Sequence, residues 1–205
     1  MTLVDSIAIK GLGCVAYLPT LAAMKDFTSR RNSETADELW LLEHPPVYTL
    51  GLAADAAHGP KAGGTIPVVQ VERGGEITYH GPGQVVLYTL VDLARRGIKV
   101  KQFVAMLEQS VIDLLDTRAE RKRGAPGIYV NGAKIAALGI RVSRGCAFHG
   151  LALNVDMDLT PFSAINPCGF PGLQVTQTRD LGIKDVKDVL GANLAAILVG
   201  KLEHA

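Results

Sequence analysis

The sequence predicts an α/β or α+β fold: a mixed, largely antiparallel sheet with flanking helices. Three observations lead there. Short runs rich in Val, Ile, Leu and Tyr fall into two clusters, residues 38–93 and 134–155. Segments with helical spacing of apolar residues separate and flank those clusters, which is the order of elements in a sheet with helices packed on it. Most connections within each cluster are too short for a crossover between parallel strands, so antiparallel or mixed pairing is expected.

The elements follow in order. Residues 13–18 read as a strand closed by Pro19, and from 20 to about 32 Leu21, Met24 and Phe27 recur at helical spacing. Residues 38–43 form a short hydrophobic strand ending at His44-Pro45-Pro46, where His44 reads as a loop residue, and 47–50 resume extended. Residues 53–67 are a loop of small residues, expected to be mobile and to form one wall of a pocket. A strand is expected at 68–72 and another at 85–93, with the glycine-rich segment 73–84 between them. Phe103, Val104, Leu107, Val111, Leu114 and Leu115 make one apolar stripe of a helix over 101–117. Residues 134–142 and 147–155 pair about the turn Ser143-Arg144-Gly145, and 186–202 read as a terminal amphipathic helix.

The chain has 205 residues, 48% hydrophobic and 20% charged, with a formal net charge of +1. That composition predicts one domain spanning 1–205 with a full-sized core. Near-neutral charge gives no support for a nucleic-acid partner. The basic run 118–123 reads as solvated surface, with docking of an acidic protein as the functional alternative. Cys14, Cys146 and Cys168 lack paired spacing, so neither a disulfide framework nor a zinc knuckle is indicated. No secretory leader and no membrane span is read, and a cytoplasmic location is expected.

Two regions can carry chemistry. The segment Arg73-Gly74-Gly75-Glu76-Ile77-Thr78-Tyr79-His80 and onward to Gln84 spends an arginine, a histidine and several hydroxyls on one short connection. A hairpin alone needs only the glycines, so a small-molecule pocket is the better reading, with backbone N–H groups approaching a ligand. The phosphate-loop and dinucleotide-binding glycine patterns are both absent. His80 and His149 lack a third ligand at convincing spacing, so a hydrogen-bonded pocket wall is preferred for His149 over a metal site. Lys134 opens an apolar strand, and Cys168 sits between Pro167 and Gly169 on restricted backbone. Each alone has a plain reading, as a snorkelling lysine and an inert core thiol. Together they gain a purpose. A thiol near about 8.5 is only a few per cent ionised at neutral pH, and a desolvated lysine beside it serves as base and stabilises the thiolate.

The stretches RGGEITYHGPGQ (73–84), KIAALGIRVSRGCAFHGLALN (134–154) and INPCG (165–169) together resemble octanoyltransferases, also called lipoate-protein ligase B. The resemblance implies the fold of biotin and lipoate protein ligases. It implies transfer of an octanoyl group from octanoyl-acyl carrier protein to a lysine of lipoyl domains or of the glycine-cleavage H protein, without cofactor or metal, by a monomer. On this resemblance Cys168 is the acyl-thioester nucleophile and Lys134 its partner. Arg73, Gly74, Gly75, Glu76, Ile77, Thr78, Tyr79, His80, Ala137, Leu138, Gly139, Gly150, Leu151 and Ala152 match pocket-lining segments, and His149 joins them as a wall residue. An ATP-dependent lipoate ligase of the same fold is the nearest alternative, a non-catalytic carrier-binding protein and a cysteine hydrolase more distant ones.

Overall fold

The computed structural model describes residues 6–55, 59–60, 64–116, 119–166 and 172–205. Two sheets organise them. The larger has seven strands in the order β1 (Ile7–Cys14), β2 (Asp37–Glu43), β6 (Gln84–Asp92), β10 (Cys146–Asn154), β9 (Ala133–Ser143), β8 (Ala125–Val130) and β7 (Glu120–Lys122). Only β1 with β2 is parallel; the other five pairings are antiparallel. The smaller sheet has β3 (Val47–Leu50) at its centre, parallel to β4 (Val68–Gln70) and antiparallel to β5 (Ile77–His80). The expected mixed, largely antiparallel sheet with flanking helices is therefore what forms.

The centre of the large sheet is covered on both faces, so β6 and β10 are buried almost throughout and carry continuous apolar runs. Helices α2 (Val100–Leu115) and α3 (Lys187–Glu203) pack on one face. Their buried positions, Phe103, Leu107, Val111 and Leu115 on α2 and Leu190, Leu194, Leu198 and Leu202 on α3, recur every three or four residues and meet Leu87, Leu151 and Leu153. Helix α1 (Tyr17–Arg30) covers part of the opposite face, with Tyr17, Leu21 and Met24 against Trp40, Val86 and Tyr88.

The sequence misplaces the first strand. β1 ends at Cys14 and the helix begins at Tyr17, so Pro19 lies inside the first helical turn rather than closing a strand. A proline is tolerated there because the N–H it lacks would have no intrahelical acceptor. The short strands β7 and β8 also go unforeseen, and β7 is exposed throughout. The turn after β9 forms as expected: Arg144 and Gly145 have φ of 49° and 80°, the left-handed pair of a two-residue hairpin.

One buried carboxylate ties the end of α1 to the end of β6. Asp37, fully buried, accepts from Arg31, from Arg95 at 2.8 Å, from Arg96 at 2.6 Å and from the Asp92 backbone N–H at 2.9 Å. A desolvated charge is tolerated only with such complete pairing.

Candidate active site

A cavity of about 320 Å³ lies between the two sheets. Its floor is formed by strands of the large sheet: Val86 and Tyr88 on β6, Ala136 to Gly139 on β9, and His149 to Ala152 with Asn154 on β10. Its roof is the glycine-rich approach to the small sheet, Arg73 and Gly75 to Thr78, with His80. The roof can sit close because Gly139 has no side chain: a Cβ there would lie 2.8 Å from the Gly74 carbonyl oxygen and 3.0 Å from Arg73 Cδ.

Lys134 stands at one end of this cavity and is buried, only 6% exposed. Its Nζ donates to the Pro126 carbonyl at 2.9 Å and lies 5.8 Å from the centre of the Tyr129 ring. The side chain can lie across β8 only because residue 127 is glycine, whose Cβ would fall 2.6 Å from Lys134 Cε. Its backbone is engaged as well. The Lys134 N–H donates to Gln174 O at 2.8 Å, and its carbonyl accepts from Thr176 N–H at 2.9 Å, making a parallel bridge to Val175.

Cys168 lies outside the described residues, so the sequence-based pairing of Cys168 with Lys134 has no measured distance. The flanks are described. Ile165 is buried with Tyr79 and Phe162, and the strand-like segment bonded to Lys134 begins six residues beyond Cys168, at Gln174. The two other cysteines lie elsewhere. Cys14 is exposed on the outermost strand, and Cys146 is buried where β10 leaves the hairpin, its thiol pushed up by burial.

Toward β2, beside the cavity, is a cluster of neutral polar rings. His44 lies in the link between β2 and β3, as expected of a loop residue, and is fully buried. Its Nδ1–H donates to Val15 O at 2.7 Å, so the Tyr88 hydroxyl donates to Nε2 at 2.8 Å. His80 Nδ1 bonds Gln84 Oε1 at 2.8 Å, and Gln84 Nε2 in turn donates to Asn154 Oδ1 at 2.9 Å. Tyr17 packs on both histidines, with ring centres 5.0 Å from His44 and 6.1 Å from His80. His149 sits 6.0 Å from the Tyr88 ring and is fully buried. The expectation of a hydrogen-bonded His149 is corrected here: neither ring nitrogen has a hydrogen-bond partner among the described residues.

Burial pushes the imidazoles of His80 and His149 down to about 3, with the neighbouring His44 adding to the effect at His80 and the Arg73 guanidinium at His149. Burial also lowers His44. The consequence for stability has a definite sign. Between about pH 6.5 and 3 the unfolded chain binds protons at His80 and His149 that the folded chain does not, so stability falls as the pH drops through that window. Each histidine contributes about 1.4 kcal/mol per pH unit there. Urea unfolding at pH 7 and pH 5 is expected to show a loss of about 2–4 kcal/mol; equal stability would mean that these rings are not held neutral inside the fold.

Of the pocket residues expected from sequence, Arg73, Gly75, Glu76, Ile77, Thr78, His80, Ala137, Leu138, Gly139, His149, Gly150, Leu151 and Ala152 all line the cavity. Two do not. Gly74 packs against β9 through its N–H, 2.9 Å from Ile140 O, and Tyr79 points away to Tyr48 and Phe162. Tyr17, Tyr88, Asn154, Phe162 and Pro126 line it without having been foreseen. Ala53, at the start of the 53–67 loop, also reaches it; residues 56–58 and 61–63 of that loop lie outside the described residues.

The chain resembles known proteins over most of its length. The family profile "Lipoyl protein ligase A/B catalytic domain" matches residues 16–195. An octanoyltransferase of Thiobacillus denitrificans is 63% identical over 181 residues, covering 87% of this chain and 83% of the relative. One of Dechloromonas aromatica is 55% identical over 199 residues, covering 96% and 97%. Among solved structures, a lipoate-protein ligase A bound with ATP superposes with a TM-score of 0.78 at 16% identity, over 96% of this chain and 85% of that one. A biotin protein ligase from Aquifex aeolicus follows at 0.55 and 8% identity, over 96% and 69%.

Proposed function

The chain belongs to the lipoyl protein ligase A/B catalytic-domain family and is an enzyme of octanoyl transfer in protein lipoylation, and from that premise we propose that Cys168 carries the acyl group and Lys134 moves the protons. The observation that carries this reading is the placement of Lys134: a buried side-chain amine lining the cavity, backbone-bonded to the segment that follows Cys168 in the sequence. A lysine is rarely buried unless paired.

The reaction runs in two balanced halves. Lys134 takes the Cys168 proton and the thiolate attacks the carbonyl carbon of octanoyl-acyl carrier protein. A new S–C bond forms, the carrier's thiolate leaves, and it takes the proton back from Lys134. The acyl-enzyme then meets the ε-amine of a lysine on a lipoyl domain or glycine-cleavage H protein. Nitrogen attacks, its proton passes to Lys134, and the departing Cys168 thiolate recovers a proton. A thioester is exchanged for a thioester and then for an amide, so no ATP enters. Two-step covalent transfer of this kind gives ping-pong kinetics. The whole chain, 1–205, acts as one cytoplasmic catalytic domain on this reading, a monomer with no cofactor.

The ATP-dependent ligase of the same fold is not favoured. The chain's relatives above 50% identity are octanoyltransferases, whereas the ATP-bound ligase shares its fold at 16% identity. The test is transfer to an apo lipoyl domain followed by mass. Octanoyl-acyl carrier protein without ATP is expected to give the modified lysine; modification only from free octanoate with ATP would overturn the reading.

A further inference from the structure

We propose that the end of the cavity remote from Lys134 is a hydrogen-bonding subsite, built around His149, that accepts acyl chains carrying a neutral hydroxyl at their far end. The proposal rests on the octanoyl-transfer reading and adds a substrate class to it.

The carrying observation is His149. In the middle of β10 its φ is 62°, the left-handed region that a non-glycine residue in a strand avoids. Strand alternation would send its ring to the face of Ala147 and Leu151, against the helices. Instead the ring stacks on Phe148 at 5.1 Å and meets Tyr88 at 6.0 Å, on the cavity side. The backbone thus accepts a strained conformation, and the outcome is an imidazole fully buried in the cavity wall with both nitrogens lacking a hydrogen-bond partner among the described residues. Buried polar atoms left so are uncommon and costly, and strain of this kind gathers at ligand sites.

The chemistry of the vacant partners defines the ligand. A neutral imidazole offers one donor and one acceptor, and the depressed pKa of about 3 keeps His149 neutral. The nearby groups are already engaged: Arg73 with Thr49 O at 2.6 Å, Thr49 Oγ1 at 2.8 Å and Gly74 O at 3.0 Å, and the Tyr88 hydroxyl with His44. What remains suits a neutral hydroxyl, which both donates and accepts, better than a carboxylate. The direction is set by the strands. Lys134 lies two residues before Ala136, which pairs with Leu153, while His149 pairs with Ile140 farther along the same ladder. With the carbonyl at Lys134, the tail of the chain runs toward His149.

The test compares octanoyl, nonanoyl and ω-hydroxyoctanoyl thioesters of acyl carrier protein, the last two nearly equal in size. The wild-type enzyme is expected to use the hydroxyl chain at least as well as nonanoyl, by kcat/KM. In His149→Leu the hydroxyl-to-nonanoyl ratio is expected to fall about tenfold or more, the loss for one unmet buried hydrogen bond. If wild-type enzyme transfers octanoyl yet prefers nonanoyl to the hydroxyl chain tenfold or more, as a purely apolar wall would, this proposal alone is overturned. A ratio unchanged in the folded variant overturns it too. An enzyme that transfers none of the three from the carrier overturns the parent reading and this one with it.

Discussion

Cys168→Ser is expected to abolish the acyl-enzyme and lower transfer by about 10³-fold or more, the scale on which covalent nucleophiles fail when replaced. Serine changes one atom and little volume, so the comparison isolates ionisation. A hydroxyl does not ionise near neutral pH, whereas a thiol does in part. Intact mass after mixing with octanoyl-acyl carrier protein should show one octanoyl group on the wild-type chain, mapped by proteolysis to Cys168, and none on the variant. Cys14→Ser and Cys146→Ser serve as comparisons, since neither thiol lies near Lys134. A full adduct on the Cys168 variant would end the assignment.

Lys134→Met is expected to slow both half-reactions by about 10²–10⁴-fold, the range for removing a positioned acid–base group. Methionine keeps an unbranched chain that fits beside Gly127, so the packing there is nearly preserved. The hydrogen bond from Lys134 to the Pro126 carbonyl is lost, a cost of about 0.5–1.5 kcal/mol in stability that denaturation should register. Stability loss alone cannot mimic the kinetic signature. A missing base makes acylation rise steeply with pH, as the thiol ionises by itself, whereas a merely loosened site keeps the wild-type profile. Wild-type rates in the variant at pH 7 would remove Lys134 from the mechanism.

Much of this architecture is legible in the sequence because it is written in periodicity. The runs that became β6, β9 and β10, and the stripes of α2 and α3, are long enough for burial alone to specify them. The glycine-rich roof was legible for another reason: a plain hairpin has no use for Arg73, Thr78 and His80 together. The misses have physical causes too. Tyr79 sits between two cavity residues, Thr78 and His80, and strand alternation turns it away. Tyr88 looks like any aromatic in an apolar strand, and its hydroxyl matters only because β2 brings His44 beside it. Tyr17 was assigned to the wrong element because Pro19 reads as a stop where it is a helix start. The inward turn of His149 depends on one backbone angle that no residue type announces.

The cavity's two walls belong to different sheets, joined along the chain by short links such as Glu43 to Val47 and His80 to Gln84. An acyl tail in that space is therefore mortar as well as cargo. While it is aboard, it adds apolar contact between the two layers that the empty enzyme lacks, and delivering it to the acceptor removes that contact. The catalytic cycle and the cohesion of the fold rise and fall together.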